Sequence, residues 1–256
     1  MIFSYVKFRA ELEKVNEWWL TRTVREARLY PLKRRHFVFV MEHLEQPRIL
    51  LLTGPRRVGK SILIKQVIQE LIKKGINPRN ILYYSLDDPS LSAFSDNVMK
   101  DVLDYFLENI AVEGKKYVFF DEIHLFIEWY KWMKSFYDRK ENTKYVLTGS
   151  SSLTLQRDAN AFLRGRLDTV EMFPLDFKEF ARFCGINVPE ISFEDMEKLD
   201  ALEISKICHD LNQAFREYFV VGGFPEWFDV KKQREARLRW FSLLIHDIPK
   251  KAIFED

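Results

Sequence analysis

Lys60 and Ser61 close an eight-residue stretch that also holds two glycines: Gly54-Pro55-Arg56-Arg57-Val58-Gly59-Lys60-Ser61. Glycines so placed let the backbone curl until successive N–H groups point at one anion. A lysine there serves the outer phosphates of a nucleotide as a point charge, and the neighbouring hydroxyl ligates Mg²⁺. Gly54, Pro55, Arg56, Arg57, Val58, Gly59, Lys60, Ser61 and the following Ile62 are therefore candidate nucleotide-binding residues. Lys60 is also a candidate catalytic group, and Ser61 a candidate metal ligand.

Two later stretches end in groups that suit the same chemistry. Tyr117-Val118-Phe119-Phe120 runs into Asp121-Glu122. An aspartate at a strand end holds Mg²⁺, directly or through water, and a glutamate beside it can act as general base on an attacking water. Asp121 is thus a candidate metal ligand and Glu122 the candidate base; alone, the pair also reads as a solvated acidic turn. Lys144-Tyr145-Val146-Leu147 leads into Thr148-Gly149-Ser150-Ser151-Ser152. Thr148 or Ser150 is a candidate sensor of the γ-phosphate, while Ser151 or Ser152 suits the N-cap of a following helix. His124 makes the tetrad D-E-x-H, a spelling found in helicases of the second superfamily. Too few residues follow to build the second domain such enzymes need. His124 is expected instead to link the acidic pair to the sensor strand or to a partner.

These groups need elements to hold them. Ile49-Leu50-Leu51-Leu52-Thr53 reads as a strand buried on both faces, as in a parallel sheet. From Ser61 to Lys74, apolar Ile64, Val67, Ile68, Leu71 and Ile72 recur at helical spacing, with Lys65, Gln69, Glu70 and Lys73 expected to face water. Gly75 is the expected C-cap and Asn77-Pro78 a turn. The N-terminus of this helix adds its partial positive charge at the phosphate. Between the loop and the acidic pair there is room for one more strand, Ile81–Leu86, and a helix near Asp96 to Ile110. With right-handed crossovers this predicts an α/β P-loop fold of the additional-strand type, a parallel five-stranded sheet of order 5-1-4-3-2. The base-recognition motif N-K-x-D of GTPases is absent, Asn142-Thr143-Lys144 being the nearest approach.

Three regions are expected: an N-terminal helical segment (1–47), a P-loop core (48–175) and a C-terminal helical lid (176–256). Residues 1 to about 45 read as helical, including Arg35 to Leu44, with Pro47 as breaker. Trp18, Trp19 and Leu20 form an apolar spot that needs a covering surface. The last strand is expected over Asp168 to Phe173. Helices follow over Asp176–Phe183 with Asp176 as N-cap, Phe193–Leu199, Ile204–Phe219 and Arg234–Ile248. Gly222-Gly223 and Pro225 interrupt them.

The net charge of +2 gives no whole-protein field for nucleic acid. Local basic clusters (Arg22, Arg25, Arg28, Lys33, Arg34, Arg35 and Lys231, Lys232, Arg234, Arg237, Arg239) read first as solvated helix faces and second as phosphate contacts. No apolar run is long enough to span a bilayer, and Lys7, Arg9, Glu11 and Glu13 interrupt any signal-peptide core. Two cysteines, Cys184 and Cys208, make no zinc site; they suit partly buried thiols in a reducing, cytoplasmic setting.

In this order the motifs resemble the prokaryotic AAA-like P-loop ATPases of the STAND-related group, many of which carry a further C-terminal domain of unknown function. Besides the loop, the matching stretches are Leu86-Asp87-Asp88-Pro89, Phe120-Asp121-Glu122-Ile123-His124, Leu147 to Ser152, Gly165-Arg166, Phe173-Pro174-Leu175-Asp176-Phe177 and Gly222-Gly223-Phe224-Pro225-Glu226. The match runs from about residue 30 to the end, with Arg56-Arg57 and the Gly-Gly-Phe-Pro-Glu segment as its most specific marks. The resemblance implies ATP and Mg²⁺ as cofactors and slow ATP hydrolysis that moves a lid against an unknown protein partner or a second copy. A nucleotide-gated switch, or a DNA-associated ATPase of a mobile-element or defence system, is the alternative. By motif, Arg166 is a candidate transition-state arginine, within its own subunit or on a neighbour; a salt-bridging surface arginine is the other reading. Arg56 and Arg57 are candidates to touch phosphates, a neighbouring subunit, or Asp87 and Asp88. Members of the group commonly continue past the Gly-Gly-Phe-Pro-Glu region, so a short or truncated form is expected.

Overall fold

The computed structural model describes residues 2–92, 97–139, 141–150, 155, 157, 161–186 and 200–242. Ser151 and Ser152, the helix expected over Phe193–Leu199 and the end of the helix expected to reach Ile248 lie outside them. The chain forms two compact units: residues up to Gly54 with Gly59–Met172, and Pro55–Val58 with the residues from Phe173 onward.

The first unit is built on five short strands: β1 (Ile49–Thr53), β2 (Ile81–Ser85), β3 (Lys116–Asp121), β4 (Thr143–Thr148) and β5 (Leu167–Glu171). Neighbours run β2-β3-β4-β1-β5, the expected order read from the other edge, and every pairing is parallel. β1 is buried along its whole length, and β3 and β4 at all but their first residue. This is why these three read as unbroken apolar runs. β5 is half-exposed at the edge and stops at Glu171, short of the expected Phe173.

Helix α4 (Lys60–Lys73) follows β1. Gly75 ends it at φ +87°, with Ile76 N–H on Leu71 O and Gly75 N–H on Ile72 O, the paired bonds of a Schellman turn. Ile64, Val67, Ile68 and Leu71 of its apolar stripe are buried as expected, and Ile72 is half-buried. Lys65 does not face water, however: it is only 7% exposed.

The N-terminal helices α1 (Ile2–Val15) and α2 (Trp18–Thr21) cover the free edge of β2. The Asn16 carboxamide donates to Tyr83 O at 2.9 Å and accepts from Tyr83 N–H at 2.7 Å. Both the Trp18 and the Trp19 indole N–H donate to Ile81 O, at 3.0 and 2.7 Å. Side chains thus take up the groups that an uncovered edge strand would offer to another chain. The surface that Trp18 and Trp19 needed is in their own chain, whereas Leu20 stays 72% exposed. Residues 22–35 are irregular rather than helical, apart from one turn at Glu26–Arg28. Pro31 offers no N–H there, and the Gln66 side chain takes the carbonyls of Tyr30 and Leu32. Helix α3 (His36–His43) leads into β1, and α5 (Pro89–Ser92), α6 (Val98–Tyr105) and α7 (Trp129–Asp138) complete the covering layers.

In the second unit α8 (Phe177–Phe183) starts at Asp176, whose carboxylate accepts from Glu179 N–H at 2.8 Å, the expected N-cap. Helix α9 (Ala201–Val221) follows, then α10 (Trp227–Val230), and residues 234–242 are helical. Phe177, Phe180, Tyr218 and Phe228 pack edge-on and tilted between these helices. Gly223 must be glycine, because a Cβ would run into the Leu175 carbonyl, and its own carbonyl already accepts from Leu175 N–H. Cys184 is partly buried as expected, but Cys208 is exposed. No helix among the described residues is long and apolar enough to cross a membrane.

Candidate functional site

Parallel strands aim their C-terminal ends the same way, and in this sheet those ends carry Thr53, Asp121 and Thr148. Ligand sites in open α/β sheets form at that edge. The loop after β1 turns through positive φ at Gly54 (+148°), Arg57 (+67°) and Gly59 (+96°) before α4 begins. Gly54 has no room for a side chain, since a Cβ would collide with Met172 O. Arg57 holds a left-handed conformation without being glycine, the kind of backbone strain that clusters at ligand sites. Lys60, nearly buried, donates its ammonium to Gly54 O at 2.8 Å. Ser61 and Ile62 are exposed on the first turn of α4.

Asp121 and Glu122 meet Thr148 at the end of β4. The Thr148 hydroxyl donates to Asp121 Oδ1 and accepts from Glu122 N–H at 3.0 Å. Thr148 is fully buried, and both roles of its hydroxyl are filled, so it organises the acidic pair rather than facing a phosphate. Glu122 takes a left-handed backbone at φ +53°. Its carboxylate stands 3.3 Å from His124 Nδ1, and Ser150 N–H approaches the same ring nitrogen at 3.4 Å; the first contact needs that nitrogen protonated and the second needs it bare. His124 thus lies between Glu122 and Ser150, just past the end of β4. Ser150 itself is half-buried beside it.

Tyr83 and Lys65 were not singled out by the sequence. The Tyr83 hydroxyl donates to Asp121 Oδ2 at 2.8 Å, and Lys65 Nζ sits 3.0 Å from the centre of the Tyr83 ring. Burial first, and then the Arg28 charge, lower the Lys65 ammonium against the opposing pull of Glu17 and Asp121, for a net fall from 10.5 to about 7. Burial, then the Asp121 charge, pushes the Tyr83 phenol up, so it stays a donor. No residue-type pattern marks this pair. Tyr83 lies in an ordinary strand, and Lys65 occupies a helical position that reads as polar.

Arg166 lies elsewhere. Its carbonyl accepts from Ile49 N–H, at the start of β1, and its guanidinium donates to Asp138 at 3.0 Å. The loop leaves the other end of β1, roughly 15 Å away at about 3.3 Å per residue. Arg166 cannot reach its own loop. Arg57 pairs with Glu226 at 3.0 Å within the second unit, and Arg56 is exposed. Asp87 accepts from the Ser85 hydroxyl, and Asp88 from Ser90 N–H at the start of α5. In the first basic cluster Arg28 pairs with Glu17, Lys33 with Glu70, and Arg34 is buried, which leaves less free charge for a phosphate backbone than the sequence suggests.

The oxygen groups present suit Mg²⁺: one carboxylate fixed by two hydroxyl donors, one exposed serine hydroxyl, and a curled loop for phosphates. Mg²⁺ takes one or two carboxylates plus phosphate oxygens and keeps several waters. Ser61 and Asp121 are the residues that would hold it.

A model of the AAA domain family matches residues 46–181. An uncharacterized protein of Methanocaldococcus jannaschii is 31% identical over 180 residues, which covers 70% of this chain and 36% of that protein. An uncharacterized protein of Haemophilus influenzae is 29% identical over 181 residues, covering 69% and 39%. The chain thus spans less than half the length of these relatives. Among solved structures, the S. cerevisiae Hsp104–ADP complex has 19% identity and a TM-score of 0.49, covering 66% of this chain and 25% of that one. The Aeropyrum pernix ORC1 protein in complex with DNA has 16% identity and a TM-score of 0.46, covering 64% and 51%.

Proposed function

The chain belongs to the AAA domain family, and from that premise we propose that it is a slow, Mg²⁺-dependent ATPase whose nucleotide state acts on a protein partner. The observation that carries this reading is the Thr148 hydroxyl, which ties Asp121 and Glu122 together at the sheet edge from which the Gly54–Ser61 loop springs. In this reading the loop N–H groups and the α4 N-terminus take the phosphates. Lys60 leaves Gly54 O for the β- and γ-phosphates. Ser61 and Asp121 hold Mg²⁺, which when bound neutralises charge building on the phosphate oxygens. Glu122 takes a proton from the water that attacks the γ-phosphorus, and ADP and phosphate leave. Ser150 is the remaining candidate for sensing the γ-phosphate.

Slow turnover follows from the same residues. Lys60 must give up a bond, and Arg166 can supply charge only to a neighbouring copy. These contacts favour a nucleotide-gated switch over a fast motor. The lid role of the C-terminal helices, the STAND relation and a further C-terminal domain belong to this reading as well. A cytoplasmic setting suits the two free thiols. The test is phosphate release from Mg·ATP. Lys60→Ala and Glu122→Gln should each lower it at least about 100-fold, the scale of one general base, and a Glu122→Gln variant at the wild-type rate refutes the assigned base.

A further inference from the structure

Asp121 is gripped at both oxygens. Thr148 serves Oδ1 and the Tyr83 hydroxyl serves Oδ2. Tyr83 reaches it diagonally: it is in register with Phe119, and Asp121 lies two residues further along β3 on the same face. Tyr83 is itself held at three points. Asn16 clamps its backbone N–H and C=O, Asp121 takes its hydroxyl, and the Lys65 ammonium lies against its ring. That ammonium has no hydrogen-bond partner and also faces the Trp18 ring at 4.9 Å. A buried ammonium without hydrogen bonds is costly, and only the two π faces and nearby carboxylates offset it.

We propose that Tyr83, with Lys65 against its ring, is a positioning residue of the metal site, fixing the Asp121 carboxylate for Mg²⁺. This rests on the reading of Asp121 as a metal ligand. A carboxylate offers about four lone-pair positions. Two are taken by hydroxyls from neighbouring strands, so its rotation is fixed and the rest are presented in one orientation. A cation against the ring draws electron density from the phenol and strengthens its O–H as a donor to the carboxylate. Tyr83 is only 8% exposed and touches the ligand, not the substrate. Groups in this position typically change metal affinity 10–100-fold when removed.

The experiment is a Mn²⁺ titration in the presence of ADP, read by electron paramagnetic resonance, on wild type, Tyr83→Phe, Lys65→Met and Asp121→Asn. Binding of a fluorescent ADP analogue in EDTA is measured alongside. Tyr83→Phe keeps the ring and its packing. It should weaken Mn²⁺ about 10-fold and leave metal-free ADP binding at the wild-type level, a split that general loosening of the fold would not give. Lys65→Met should weaken Mn²⁺ in the same direction by a smaller factor, and it carries the comparison if Tyr83→Phe fails to fold. Loss of Mn²⁺ affinity in Asp121→Asn with wild-type affinity in Tyr83→Phe and Lys65→Met overturns the proposal alone. Wild-type affinity in all three overturns the reading of Asp121 and the proposal with it.

Discussion

Replacing Lys65 by methionine should make the protein more stable, and the gain should depend on pH. In the folded chain Lys65 gives up its proton at about 7, against 10.5 when free. Between those values the unfolded chain binds one more proton than the folded one, so wild-type stability rises with pH across that window and falls as pH drops through it. Below about 7 the charged form is buried in both packing and field, and the full cost applies. At 1.36 kcal/mol per unit, the shift corresponds to a cost on the order of 5 kcal/mol. Methionine keeps the length, carries no charge and suits the Trp18 and Tyr83 rings. Lys65→Met should therefore exceed wild type by a few kcal/mol at pH 6.5, with the advantage reduced by about 2.5 kcal/mol at pH 9. Urea unfolding across pH 6.5–9.5, without metal or nucleotide, measures this. Equal pH slopes in the two proteins, or a Lys65→Met variant less stable than wild type at pH 6.5, would refute the account of the buried ammonium. Together with the weaker Mn²⁺ binding expected of the same variant, it is a trade of stability for site geometry.

Asn16→Ala should destabilise the fold by about 2–4 kcal/mol, because it strands the N–H and C=O of Tyr83 at a covered sheet edge; a shift in the urea midpoint reports it, and an unchanged midpoint would contradict the edge-clamp reading. Arg166→Ala should leave turnover per subunit unchanged in dilute, monomeric protein, since the guanidinium lies at the wrong end of β1; a drop at every protein concentration would contradict that placement.

The sheet order was legible because β1, β3 and β4 are buried on both faces, which leaves unbroken apolar runs, and because the extra strand lies between the loop and Asp121. The Asp176 cap and the Gly75 turn were legible because each is a local backbone requirement. Lys65 was not. A period of 3.6 places it on a polar stripe, but α1 and α2 lie where solvent was assumed, and only the tertiary fold shows that. For Arg166 a short motif carried no information about which end of a strand it joins, and the ion pair with Asp138 is the alternative the sequence also offered. Thr148 was found as a polar strand end, yet its hydroxyl serves Asp121 and Glu122, a partner choice set by strand pairing. Trp18 and Trp19 signalled that a surface was needed without revealing that it was the edge of β2.

The central claim is that the Gly54–Ser61 loop receives the phosphates of ATP with its metal. Calorimetric titration of wild type and Lys60→Ala with Mg·ATP tests it most directly. One nucleotide bound per chain, with affinity lost at least about 10-fold (about 1.4 kcal/mol) in Lys60→Ala, is the result this account predicts. No heat of binding to the wild type at saturating Mg·ATP, or the same affinity in both proteins, would contradict it.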